Sequence, residues 1–151
     1  MKPSLVVAIA SLLLTQCTPA PPPPAAKADP TTESWYLATV DQLARMNRDA
    51  KTLWENGKAD RAADIVTEGE TLSTRLLSIP QPPLAAMEAA SDLDDLYGRM
   101  LLSNHNYGWA RLLFQKNLAR WMNWKPQTKD TEERIRAANR AIAECDRRMT
   151  E

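Results

Sequence analysis

The chain has 151 residues, enough for one folded domain, and its formal net charge is zero. No protein-wide field favours a polyanion, so nucleic acid is excluded as the expected partner. Only four glycines occur, and no long run alternates apolar and polar residues, so helix is expected and strand is not.

The first segment, MKPSLVVAIASLLLTQC, opens on Lys2 and carries an apolar run from Leu5 to Leu14. A membrane-spanning helix needs about 20 apolar residues, so this run instead has the length of the apolar part of a secretion signal. Its end, Leu14-Thr15-Gln16-Cys17, resembles the lipobox of bacterial lipoproteins, with Gln16 where that family usually has a small residue. The resemblance implies a signal peptide over residues 1–16 and a diacylglycerol thioether on Cys17, the new N-terminus. It places the chain in the bacterial cell envelope as a membrane-anchored lipoprotein facing the periplasm. Ala26-Lys27-Ala28 leaves open an ordinary cleavage before Asp29, which would make the protein soluble in the periplasm.

Residues 17–30 form the anchor and a linker. Thr18 to Pro30, TPAPPPPAAKADP, has six prolines in thirteen residues. Such a segment is extended at about 3.1 Å per residue and would hold a domain up to roughly 40 Å from its anchor. A tether makes sense on a chain that stays attached to the membrane.

Residues 31–151 are expected to be all-α. Asp29-Pro30-Thr31 has the pattern of a cap followed by proline. Tyr36, Val40, Leu43, Ala50 and Trp54 then recur at helical spacing up to a stop at Asn56-Gly57. A second helix carries Ala62, Ile65, Val66, Gly69, Leu72 and Leu76 on one side and ends at Ile79-Pro80. The third starts near Pro83 and turns Ala86, Ala90, Leu93, Tyr97 and Met100 inward. Ser103 to Asn106 reads as a turn, with Asn106 as cap of a fourth helix that runs to Trp124. A fifth helix begins near Thr128 to Asp130, with Asp130 and Glu133 at capping-box spacing, and its apolar stripe is Ile135, Ala138, Ile142, Cys145 and Met149.

Two segments share a pattern, LWENGKADRAADIV from Leu53 and LLSNHNYGWARLLF from Leu101. Each places a leucine nine residues before an alanine and an apolar residue four after it: Leu53, Ala62, Val66 and Leu101, Ala110, Phe114. This resembles the tetratricopeptide repeat, with Gly98, Tyr107, Ala110 and Phe114 at family-type positions. The resemblance implies antiparallel helical hairpins that cross at small residues. The two copies lie further apart than the family period of about 34 residues. An irregular four- to five-helix bundle therefore stays open beside the repeat-like arrangement.

Tyr107, Ala110, Leu113, Phe114, Asn117, Leu118, Trp121 and Trp124 fall on one arc of the fourth helix and are expected to face the core. Trp109 and Leu112 lie off that arc, and Lys116 and Arg120 flank Trp109. These four are the candidate partner-binding residues. They would serve an acidic or aromatic protein partner, or anionic lipid headgroups, unless Trp109 and Leu112 pack on a second neighbouring helix. No acid occurs between Asp95 and Asp130, a span with six bases, whereas the preceding helix carries Glu88, Asp92, Asp94 and Asp95.

Catalytic patterns are missing. His105 is the only histidine, and neither a phosphate loop nor a dinucleotide fingerprint occurs. Adjacent carboxylates such as Asp94-Asp95 diverge by about 100° on a helix and have the look of a solvated surface. Cys145 reads as a small buried hydrophobe or the seat of an intermolecular disulfide. No enzyme activity, cofactor or metal is expected. The favoured expectation is a non-catalytic adaptor or assembly subunit that contacts another envelope protein. The alternative is a periplasmic bundle that binds a small apolar ligand.

Overall fold

The computed structural model describes residues 29–151; the signal segment, Cys17 and the linker up to Ala28 lie outside the described residues. A 3₁₀ turn, Pro30–Thr32, leads into five helices: α1 Ser34–Glu55, α2 Ala59–Leu77, α3 Leu84–Ser103, α4 Tyr107–Asn123 and α5 Lys129–Thr150. Among the described residues there is no strand. The all-α expectation therefore holds, as a five-helix bundle.

The helix ends are set by local chemistry. Asp29 Oδ1 accepts from the Thr31 amide at 2.9 Å and from its hydroxyl at 2.8 Å, which pulls the Asp29 carboxyl below its ordinary pKa. That cap holds the 3₁₀ turn, and α1 itself starts later, at Ser34. Asn106 occupies the cap position of α4 without a side-chain cap bond. The cap of α5 is Thr128, paired reciprocally with Thr131, rather than Asp130 with Glu133. A threonine hydroxyl both donates and accepts, so Thr131 can take the role expected of Glu133.

The two hairpin turns are built alike. The Lys58 amide donates to the Leu53 carbonyl at 2.9 Å, and the Asn106 amide donates to the Leu101 carbonyl at 2.9 Å. Between them a left-handed residue reverses the chain, Gly57 at φ 73° and His105 at φ 61°. This bond across the helix end satisfies an orphan carbonyl and needs a positive φ at the residue after the cap. The sequence match at Leu53 and Leu101 is thus a match of turn geometry.

Helix α3 is the centre of the bundle and packs against α1, α2 and α4. Nine of its residues are buried, five of them Ala86, Ala89, Ala90, Ser91 and Gly98. Small side chains let neighbouring axes approach closely. Tyr36 of α1 is fully buried and its hydroxyl donates to the Leu76 carbonyl at 3.1 Å, which joins the start of α1 to the end of α2. A second, smaller apolar cluster, Ala110, Phe114 and Cys145, joins α4 to α5. Cys145 is fully buried, and burial pushes its thiol pKa up; the disulfide reading finds no exposed sulfur there. Met149, expected in the α5 stripe, is about half exposed near the chain end.

Along α3 and α4 the contacts run antiparallel, Ser91 with Trp121 and Asn117, Asp94 with Arg120 and Lys116, and Gly98 with Phe114. A methyl group built on Gly98 would stand 2.7 Å from Phe114 Cε1, whereas one on Gly69 meets the Cδ2 methyl of Leu93 at 2.8 Å. The Phe114 ring is buried and has little room to move. Gly98→Ala is therefore expected to lose about 1–3 kcal/mol to overpacking. Gly69→Ala should lose less, because it crowds one methyl at the far end of Leu93 rather than two atoms of a ring, while the helix-propensity gain of about 1 kcal/mol is common to both. Urea unfolding of both variants checks the order.

Candidate functional site

Helix α4 buries Ala110, Phe114, Asn117 and Trp121. Its neighbours are α3 and α5, which leaves a third side without cover. Trp109 lies on that side and is 68% exposed, and Leu112 is 53% exposed. The alternative in which they pack on a second helix fails, because α5 contacts α4 along the side of Ala110, Phe114 and Arg111.

The uncovered side forms an open groove of about 670 Å³. Tyr97 and Leu101 of α3 make its floor with Leu113, and Trp109 and Leu112 stand on the α4 edge. Asn106 and Lys116 mark the two ends on α4. The lining is thus mostly apolar, with an amide and an ammonium as donors. Burying one such large side chain under a partner would contribute roughly 1.5–3 kcal/mol before ordering costs.

Three of the four candidate residues, Trp109, Leu112 and Lys116, share this groove. Arg120 does not. Its side chain is 6% exposed, and Nη2 donates to Asp94 Oδ2 at 2.7 Å. Arg120 also donates to Asn117, and the Asn117 amide donates to the Ser91 carbonyl at 2.9 Å. Trp121 Nε1 donates to Ser91 Oγ at 2.8 Å. The physical reason for the correction lies in Asp94, which turns into the α3–α4 contact with no exposed side-chain area. A carboxylate there requires a cation beside it.

Lys116 joins the two regions. Its ammonium donates to Asp94 Oδ1 at 2.8 Å and stands 3.6 Å from Glu70 Oε2, while the side chain as a whole is 45% exposed. Glu70 is partly buried, and its Oε1 has no hydrogen-bond partner. Burial, then the nearby Asp94 charge, push the Glu70 pKa above the ordinary carboxylate value.

The run of bases in sequence is largely neutralised in space. Arg99 pairs with Asp95, Arg111 with Asp146, and Lys116 and Arg120 with Asp94. Arg134 of α5 reaches back to Asp92 at 2.7 Å and lies over the Trp121 ring at 4.9 Å. An acidic partner would have to compete with these contacts, so the groove favours apolar surface.

A separate cavity of mixed character, about 380 Å³, lies where α1, α3 and α5 end, lined by Trp54, Arg99, Leu102, Ser103, His105, Tyr107, Glu144 and Arg148. Its guanidinium groups are engaged with Asp95 and Glu144. Among the described residues, no cluster of three or more His, Cys, Asp or Glu side chains could hold a metal ion, and no helix is long and apolar enough to cross a membrane.

Asp94→Asn leaves Arg120 as a buried cation without its countercharge and is expected to cost about 3–5 kcal/mol. Lys116→Met removes one of the two cations beside Asp94 and leaves Arg120 in place, so it should cost less than Asp94→Asn. Denaturant unfolding at neutral pH separates the two. Glu70 binds its proton more tightly folded than unfolded. Its contribution to stability is therefore fully present below the ordinary carboxylate pKa and is lost as pH rises through the raised value. Glu70→Gln should remove that decline, read as a flatter dependence of unfolding free energy on pH.

Compared with known proteins, the chain matches no family model, no curated protein and no solved structure.

Proposed function

We propose that this chain is an exported, lipid-anchored envelope protein that acts as a non-catalytic adaptor or assembly subunit. Cys17 carries the lipid, the proline-rich segment spaces the body from the membrane, and the groove beside α4 receives a segment of another envelope protein. The observation that carries the reading is the exposure of Trp109 and Leu112 on a groove that is otherwise apolar. A partly exposed tryptophan in such a setting is the residue type that dominates protein interfaces.

Two further observations support it. The charged residues around the groove are already paired within the chain, so they add little demand for a small charged substrate. The hairpins α1–α2 and α3–α4 meet where Gly69 of α2 faces Leu93 of α3, and α3 crosses α4 at Gly98, which favours the repeat-like reading of the helices. Repeat-like hairpins present extended surfaces to partner chains.

The competing reading is a small apolar ligand. The groove volume of about 670 Å³ lies within the usual range for such sites. Ligand pockets bury most of their ligand, however, and this one leaves Trp109 and Leu112 more exposed than covered.

Affinity capture from envelope extracts tests the adaptor. Trp109→Ala should lose the partner, at a cost of about 2 kcal/mol or more in binding, with the helical circular dichroism unchanged. Capture that survives this change sinks the reading, and a lipid or cofactor that co-purifies with the protein favours the ligand binder. For the anchor, an alkynyl fatty acid should label the native chain and leave Cys17→Ser unlabelled and released from membranes.

A further inference from the structure

We propose that the cavity where α1, α3 and α5 end is a binding site for a small aromatic carboxylate, a planar ring bearing one negative charge. The cavity shares no lining residue with the Trp109 groove, so the inference goes beyond the adaptor reading and does not rest on it.

The lining offers the two surfaces such a ligand needs. Trp54 of α1 supplies an indole for ring stacking. Arg99 of α3 and Arg148 of α5 supply guanidinium groups, whose planar fork matches a carboxylate. Glu144 is the one carboxylate in the lining, so with His105 neutral the cavity carries an excess of one positive charge. Its volume of about 380 Å³ lies within the range of small-molecule sites.

Both guanidinium groups are held in place and still have donors to give. Arg99 donates to Asp95 through Nε at 2.7 Å and Nη2 at 3.4 Å, and its Nη1 has no partner among the described residues. Arg148 donates to Glu144 through Nε at 2.9 Å, and its Nη2 is likewise without a partner among them. A guanidinium has five N–H donors, so bonds at Nε fix the group without exhausting it. Groups fixed beforehand lose less freedom when a ligand binds.

His105 is the residue that packing alone does not explain. It holds the same place in its turn as Gly57 does in the twin turn, and both have positive φ. Glycine takes that conformation freely, whereas a residue with a Cβ is strained in it. The chain here accepts the strain and gains a ring in the cavity wall, with Nδ1 2.5 Å from the Tyr107 hydroxyl. With the hydroxyl donating to Nδ1, the ring proton sits on Nε2 as a further donor for an anion. Strained backbone of this kind gathers at functional sites.

The test uses the full exported chain, labelled with ¹⁵N and held in detergent, with 2-naphthoate as the probe. Trp54→Phe and Trp109→Phe identify the two indole resonances. The expected result is a saturable shift of the Trp54 signal and none of the Trp109 signal. Acetate, 2-naphthalenemethanol and 2-naphthylmethylamine should each bind far more weakly. Arg99→Gln with Arg148→Gln should weaken 2-naphthoate about tenfold or more, since charge-assisted hydrogen bonds are the strong ones. His105→Gly relieves the strained turn, so it should unfold at the same or higher urea concentration and still bind severalfold more weakly. No saturable shift, equal binding of the uncharged or ring-free controls, or native affinity in either variant overturns the proposal. Trp109→Ala should leave 2-naphthoate binding unchanged, so a failed adaptor and a failed carboxylate site are told apart.

Discussion

A carboxylate with no exposed surface, Asp94, sits between the two helices that organise this bundle, and Arg120 and Lys116 answer it. Two charges taken out of water are costly unless geometry and hydrogen bonds compensate. Here they do, through Asn117, Ser91 and Trp121, which tie the same stretch of α3 to the same stretch of α4. The pairing admits one register, because Arg120 has to face Asp94. With that register set, Phe114 arrives over Gly98, and Ala110 packs with Cys145. The same register leaves Trp109 and Leu112 on the uncovered side.

Lys116 links the interior to the surface. One end of its side chain belongs to the buried acid cluster, and its stem lines the groove. The groove wall is therefore held by an ion pair that solvent only partly screens. Glu70 of α2 stands beside this pair with one oxygen unpartnered, and burial raises its pKa.

Much of the fold was legible in the sequence. Periodic apolar residues such as Tyr36, Val40 and Leu43, or Ala138 and Cys145, gave helix and face together, and Asn56-Gly57 marked a stop. What periodicity missed was polar burial. Asp94 next to Asp95 looks like solvated surface, and only the packing of α3 against α4 turns it inward. Of the candidate site, Trp109 and Leu112 were visible as apolar residues off the core arc. Arg120 was misplaced because a base beside an exposed tryptophan looks like surface until its acid is located on another helix. One signal was available: the acids of α3 and the bases of α4 are segregated along the chain, and opposite charges on consecutive helices tend to meet when the helices fold back. The turn at His105 was readable as a turn, but its left-handed φ was not, since histidine carries no glycine-like mark.

Helix α5 is held differently from the rest. It buries Thr131, Ala138 and Cys145 alone, and much of its remaining surface is charged. Segments with few buried apolar groups are the first to open in a native protein. When α5 lifts away, the only sulfhydryl of the folded body meets solvent. The rate at which an alkylating reagent consumes that sulfhydryl thus becomes a built-in clock for breathing at the carboxyl-terminal end.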